Sequence, residues 1–334
     1  MTVFCLGSIN CDNVYRMDTL PAPGETLSAH GFSQGLGGKG VNQSIAALRA
    51  GSRVVHIGAI GQGDAWVEDQ LVRHGVALDA IARVAQPTGH AIVAVDARGE
   101  NQIIIYSGAN LAQSPDLIAQ TLAQAVPDDT LLLQNETSHQ AVAAATARAR
   151  GMRVFYSAAP FALEPLKAVL PHVTHLLVNA GEAKALIDAT GIALADQPVE
   201  AVIVTHGARG AEWITGGADP IFVPAFSVKP IDTTGAGDCF AGVLAAALDQ
   251  GHTAHRSPTL AAAAPGLVPD AGRRRRRASG DQTGRCRRHA GQRSDRRLSG
   301  CAVISPHPRL SSAPIKGSFR TWAQTGPVGS KGTP

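Results

Sequence analysis

Asp232-Thr233-Thr234-Gly235-Ala236-Gly237-Asp238 runs without a break into Cys239–Gln250, a mostly apolar stretch that Gly251 closes. The second part reads as one long helix and the first as the turn that opens it. Small residues at 235–237 let a backbone approach a ligand closely. The free N–H groups of a helix start point at that ligand, with the positive end of the helix dipole behind them. Such a place suits a transferring phosphate, and Asp238 beside it could take the proton from an attacking hydroxyl. An N-capping Asp on a Gly-rich turn would have the same residues, so this stretch alone leaves both readings open.

Upstream, short β-branched runs alternate with amphipathic segments. Strands are expected at 3–7, 54–60, 130–133, 154–157, 175–178 and 202–205, with helices at 41–50, 64–74, 117–125, 140–150, 163–170 and 182–189. Alternation of this kind predicts a mostly parallel sheet covered by helices on both faces. Two stretches break it: the polar, Gly-rich segment before residue 36, and a hairpin pairing 91–95 with 102–106 across Asp96-Ala97-Arg98-Gly99-Glu100. They suggest a small β-flap on the main body.

Ligands of open α/β sheets sit beyond the carboxyl ends of the strands, and the remaining candidates lie there. Gly7-Ser8-Ile9-Asn10-Cys11-Asp12 could present an amide and a carboxylate to sugar hydroxyls, or simply end a strand. Gly35-Leu36-Gly37-Gly38-Lys39-Gly40-Val41-Asn42 opens a helix but is not a phosphate-binding P-loop, since Gly40 stands where Ser or Thr should follow the lysine. Asn179-Ala180-Gly181-Glu182 and Thr205-His206-Gly207-Ala208-Arg209-Gly210 end two later strands, and Glu136 follows another. Glu182 could hold Mg²⁺ through water. His172 and His175 have no third ligand nearby and raise no expectation of a metal.

Composition then bounds the rest. Of 334 residues, 44% are apolar and 17% charged, which excludes a disordered or collagen-like chain as a whole. The five cysteines form no C-x-x-C pair, and no apolar run is long enough to span a bilayer, so a soluble cytoplasmic protein is expected. The formal charge of +4 is uneven: 256–334 hold 16 basic residues against 3 acidic, a net +13, leaving 14 basic and 23 acidic before them, a net −9. Periodicity ends at the same place. Residues 1–253 are expected to form one domain and 254–334 an Arg/Pro/Gly/Ser-rich tail, either disordered or read from a shifted frame. As a real tail it would bind nucleic acid non-specifically, through charge alone.

Gly37-Gly38, Asn179–Glu182 and the complete Asp232–Asp238 motif, in this order, resemble the ribokinase-like (PfkB-type) carbohydrate kinase family over about residues 3–253. Gly7-Ser8-Ile9-Asn10-x-Asp12 and Gly38-Lys39-Gly40-x-Asn42-Gln43 are similar to its ribose-phosphorylating branch. The resemblance implies a three-layer α/β/α sandwich with a mostly parallel central sheet and a small β-sheet lid, formed by about 12–36 and 90–107. It implies an ATP-dependent sugar kinase, of D-ribose before other sugars or nucleosides. Asn10, Cys11, Asp12, Gly38, Lys39, Gly40, Val41, Asn42 and Glu136 would hold the sugar, with Asp238 the catalytic base and Gly235, Ala236 and Gly237 the anion hole. ATP would lie against Asn179, Thr205, His206, Gly207, Ala208, Arg209 and Gly210, reaching Gly237 and Asp238. Glu182 would join the Mg²⁺ shell, and Asp232 and Thr234 half of a K⁺ site. The lid would close over the sugar and pair two copies into a homodimer. The family's further C-terminal helices and cation loop are not recognisable after about His252, so a sugar-binding but catalytically impaired protein is the alternative.

Overall fold

The computed structural model describes residues 1–226, 234–253 and 256–262. In chain order the elements are β1 Thr2–Leu6, β2 Asn10–Arg16, β3 Gly31–Gly37, α1 Lys39–Arg49, β4 Arg53–Gly61, α2 Ala65–Arg73, β5 Ile81–Val84, β6 Gly89–Val95 and β7 Asn101–Tyr106. There follow α3 Pro115–Leu122, β8 Thr130–Gln134, α4 Gln140–Ala149, β9 Arg153–Ser157, α5 Leu163–Val169, β10 His175–Asn179, α6 Ala180–Thr190 and β11 Ala201–Thr205. Then come β12 Gly210–Ile214, β13 Ile221–Pro224, α7 Ala236–Asp249 and α8 Arg256–Ala262.

Nine strands form one sheet in the order β13-β12-β11-β10-β9-β8-β1-β4-β5. From β11 to β5 every pairing is parallel, and β12 and β13 return antiparallel at one edge. The parallel strands are apolar throughout because both faces are covered, and successive residues serve opposite cores. Phe4, Leu6, Leu131, Leu133, Val154, Tyr156, Leu176 and Val178 pack against α3, α4, α5 and α6. Val3, Cys5, Leu132, Phe155, Leu177 and Ile203 pack against α1, α7 and Ala261 of α8. The three expected layers follow from that alternation.

The second sheet, β3-β2-β6-β7, is the expected flap. β2 pairs antiparallel with β3 and parallel with β6, and β6 and β7 form the hairpin. The residues of β7 are exposed on both faces, Ile103, Ile104 and Ile105 among them. A third cluster joins the root of this sheet to α1 and α2 through Ile9, Leu36, Val41 and Ile45.

α8 lies past the expected domain boundary at 253, yet it belongs to the same compact unit, and Ser257 and Ala261 on it are buried. Asp232 and Thr233 lie outside the described residues, as does nearly all of the expected tail. Among the described residues no helix is long and apolar enough to cross a membrane.

Candidate active site

Parallel strands put their carboxyl ends on one side, so the loops after β1, β8, β10 and β11 open on the same edge of the sheet. The first loop meets the start of α1 there. Gly7 and Gly40 pass so closely that a Cβ on either would lie 2.3–2.4 Å from the Cα of the other. Between them stands Ser8: its carbonyl accepts from Val41 N at 3.0 Å, and its hydroxyl accepts from Gly40 N at 3.3 Å. The same hydroxyl donates to Glu136 Oε2 at 2.5 Å. Gly38, the residue before α1, has φ 99°, a left-handed conformation natural to glycine, and an added Cβ would meet Ser8 O at 2.7 Å.

Lys39 is thereby fixed beside Glu136, with Nζ 3.5 Å from Oε1 and the backbone N–H donating to Oε2 at 3.3 Å. Asn10 and Asp12 lie two apart on one face of β2. Asp12 sits so close to Gly37 that a Cβ there would overlap its carboxylate. Asn10 is held by Asn110, whose Nδ2 donates to Asn10 Oδ1 at 2.7 Å and to Ile9 O at 3.2 Å, while its Oδ1 accepts from Ile9 N at 2.9 Å. With its oxygen engaged, Asn10 keeps its amide N–H groups for a ligand.

Asp238 reaches this cluster from the first turn of α7. Gly235 precedes that helix at φ 70°, and the N–H groups of residues 236–238 have no intrahelical acceptor. Asn42 Nδ2 donates to Asp238 Oδ2 at 3.2 Å and Gln43 Nε2 to Oδ1 at 3.3 Å. What seats α7 against α1 is Gly242, one turn on, where an added Cβ would be 2.2 Å from Gln43 O.

These groups titrate as a set. Burial raises the Asp238 carboxyl to about 6; Lys39, Asn42 and Gln43 favour its ionised form and Glu136 opposes it. Burial also raises Asp12, with Glu136 adding and Lys39 opposing. Burial would lower Lys39, but the carboxylates of Glu136, Asp238 and Glu182 together hold it above the ordinary lysine value. The result is one ammonium among acceptor-only carboxylates, suited to a ligand rich in hydroxyl donors.

Not every residue named from the sequence turns its side chain here. Cys11 faces the other side of β2, where its thiol accepts from Gln34 Nε2 at 2.9 Å, and Val41 is buried in the third apolar cluster. Only their backbones can take part. Asn179 and Glu182 form a capping box on α6: Asn179 Oδ1 accepts from Glu182 N at 2.9 Å, and Glu182 Oε2 from Asn179 N at 2.8 Å. One oxygen of Glu182 remains outside that box, and the carboxylate still influences Lys39. Asn179 pairs in register with Thr205, so the capping box and the 205–210 turn are neighbours. That turn is tight: His206 N donates to Gly210 O at 2.8 Å, and a Cβ on Gly210 would lie 2.0 Å from Val223 O. Ala208 and Arg209 are exposed on it. Thr234 is exposed just before α7, while its expected companion Asp232 is outside the described residues. Ser8, Gln43, Asn110 and Gln134 belong to the site although the motifs gave them no role, since each acts on another residue rather than facing the opening.

The family model for pfkB family carbohydrate kinases matches residues 2–268. A ribokinase of Haemophilus influenzae is 34% identical over 267 residues, covering 74% of this chain and 85% of that protein. The crystal structure of a ribokinase from Cryptococcus neoformans var. grubii serotype A in complex with ADP superposes with a TM-score of 0.71 at 29% identity, over 80% of this chain and 96% of that one. An Arabidopsis thaliana ribokinase complexed with ribose and ATP gives a TM-score of 0.69 at 26% identity, over 80% and 95%.

Proposed function

The chain belongs to the pfkB family of carbohydrate kinases, and we propose that it transfers the γ-phosphate of ATP to the 5-hydroxyl of D-ribose, with Asp238 as the base. The observation that carries this reading is the seat of Asp238. Its carboxylate is held by two amides of α1, beside Lys39, at the mouth of a helix start whose N–H groups are free of intrahelical acceptors. Asn10, Asp12, Gly38, Asn42 and Glu136 surround the place for the sugar, and Lys39 spans sugar and phosphate. Carboxylates accept from the ring hydroxyls, while the amides of Asn10 and Asn42 donate to them.

The step follows from those positions. With Asp238 ionised, above about pH 6, the hydroxyl gives its proton to that carboxylate as its oxygen attacks in line with the leaving ADP. The N–H groups of 236–238 and the Lys39 ammonium face the charge spreading over the transferring oxygens. Phosphoryl transfer leaves the protein mostly positioning and electrostatics to supply. The adenosine side rests on Asn179 and the turn 205–210. Mg²⁺ entering with the triphosphate would be held through water by the outer oxygen of Glu182 and would neutralise phosphate charge. A monovalent cation such as K⁺ would be held by Thr234 together with Asp232, which lies outside the described residues. The β3-β2-β6-β7 sheet closes over the sugar and limits attack by water.

We assign the exposed apolar residues of that sheet, Phe32, Ile103, Ile104 and Ile105, to a homodimer contact, and the chain to the cytoplasm. The Arg-rich C-terminal residues would hold polyanions without sequence preference. The deciding experiment is ATP-dependent phosphorylation by the 334-residue chain of D-ribose, 2-deoxy-D-ribose, D-fructose and a nucleoside, with and without K⁺. Preference for D-ribose upholds the reading. Preference for another acceptor moves the substrate within the family, and ribose binding without turnover leaves a sugar-binding protein whose nucleotide side is incomplete.

A further inference from the structure

Behind Asp238 lies a second amide that no ligand can touch. Gln134, at the end of β8, and Gln43, on α1, are 0% and 1% exposed. Gln134 Nε2 donates to Gln43 Oε1 at 2.8 Å and also reaches Cys5 Sγ at 3.5 Å. A carboxamide has one donor end and one acceptor end, so engaging the oxygen of Gln43 leaves only its N–H₂ to face Asp238. Turned about, Gln43 would set its oxygen against the carboxylate, an arrangement that suits a protonated Asp238 and repels an ionised one. We propose that Gln134 is a positioning residue for the transfer step, which fixes the amide orientation of Gln43 and so keeps Asp238 in the proton-accepting form.

The surroundings support a directed contact. Among the described residues Gln134 Oε1 has no hydrogen-bond partner although it is fully buried, so the residue is held there by its donor end alone. A Cβ on Gly7 would come within 2.6 Å of that oxygen, so the backbone there limits how the amide can turn. Among the described residues, the other ionisable groups around Asp238 are Lys39, which favours its charge, Glu136, which opposes it, and Cys5, whose burial keeps the thiol up at about 11 and hence neutral. Of these only Lys39 has donors to offer, and its ammonium is paired with Glu136, Nζ to Oε1 at 3.5 Å.

The proposal rests on Asp238 being the base, and the test separates the two. The pH dependence of kcat for D-ribose is measured in wild type, Gln134→Met, Gln134→Glu and Asp238→Asn. Gln134→Met removes the lock with little change in volume, and Gln134→Glu attracts the Gln43 N–H₂ away from Asp238. The acid limb is expected to move up by about 0.5–1 pH unit in Gln134→Met and further in Gln134→Glu, with KM for ATP unchanged. An unmoved acid limb in both, whatever kcat does, would overturn the relay, as would failure of both variants to give a cooperative thermal transition. Wild-type turnover in Asp238→Asn would instead remove the base assignment on which it stands.

Discussion

Gly242→Ala places one methyl group between α7 and α1. The added Cβ would lie 2.2 Å from Gln43 O and 2.8 Å from the Ala46 Cβ. Relief to ordinary van der Waals contact needs the helices to part by about 1 Å, since a backbone carbonyl cannot swing aside as a flexible side chain can. Asp238 is one turn before Gly242 on the same helix and moves with it. Its bonds to Asn42 and Gln43, now 3.2 and 3.3 Å, are at the long end for hydrogen bonds, and a further ~1 Å breaks both. With Asp238 as the proposed base, a shift of that size costs on the order of 10²-fold in rate. Overpacking of this kind costs about 1–3 kcal/mol, or roughly 2–10 °C in Tm for a domain of this size. Coupled assay of ADP release and a thermal melt read the two effects separately. A variant whose Tm falls while kcat stays within about twofold of wild type would refute the argument that Gly242 sets the position of Asp238, the proposed base.

Gly237→Ala makes the opposite case, because a Cβ there meets nothing within 4 Å. Alanine is the better helix former by up to about 1 kcal/mol, so Tm should hold or rise while KM for ATP increases severalfold; an unchanged KM would argue against phosphate lying on that turn. For Asp238→Asn the sign follows from the raised carboxyl. Between about pH 4 and 6 the folded chain binds a proton that the unfolded chain has released, so ionising Asp238 destabilises the fold, by at most about 3 kcal/mol, fully above pH 6 and not below 4. The Asp238→Asn variant should therefore lower kcat by about 10²–10⁴-fold and raise Tm at pH 8, the gain fading toward pH 4; a gap independent of pH would sink the argument. Ile104→Asp, at a position 66% exposed on β7, should yield a monomer by light scattering if the flap joins two copies, and an unaltered mass would reject that assignment.

The central sheet was legible in the sequence because its strands are short apolar runs buried on both sides, such as Leu131-Leu132-Leu133 and Leu176-Leu177-Val178. The flap was legible only as an interruption. β3 reads Gly-Phe-Ser-Gln-Gly-Leu-Gly and has no strand signature; it is extended because β2 pairs along its whole length. β5 is four residues long, and its pairing with the end of β4 is what makes it a strand. At the site, Asp12, Lys39, Asn42, Glu136 and Asp238 could be named because charged and amide groups beside glycines are conspicuous. Asn110 and Gln134 could not, since an isolated amide has no local signal, and Gln43 stood in the Gly38–Gln43 motif without a role; the partners of all three lie 91–195 residues away. For Asn179 and Glu182 the same four-residue spacing that suggests a nucleotide contact also spells a capping box, and the structure uses it at least for the latter.

α7 has a bearing on how the chain is made. Its residues from Cys239 to Ala246 cover Val3 and Cys5 of the first strand and Ala46 and Ala47 of α1, and Gln250 closes onto Ala50 O, 200 positions back. During synthesis β1, β4 and α1 emerge long before their cover, so one apolar face of the growing sheet stays wet until α7 has left the ribosome. A nascent chain stalled before that point is expected to engage chaperones or aggregate, and one stalled beyond α8 to resist protease. Folding of this enzyme should thus be timed by the arrival of the helix that also delivers Asp238.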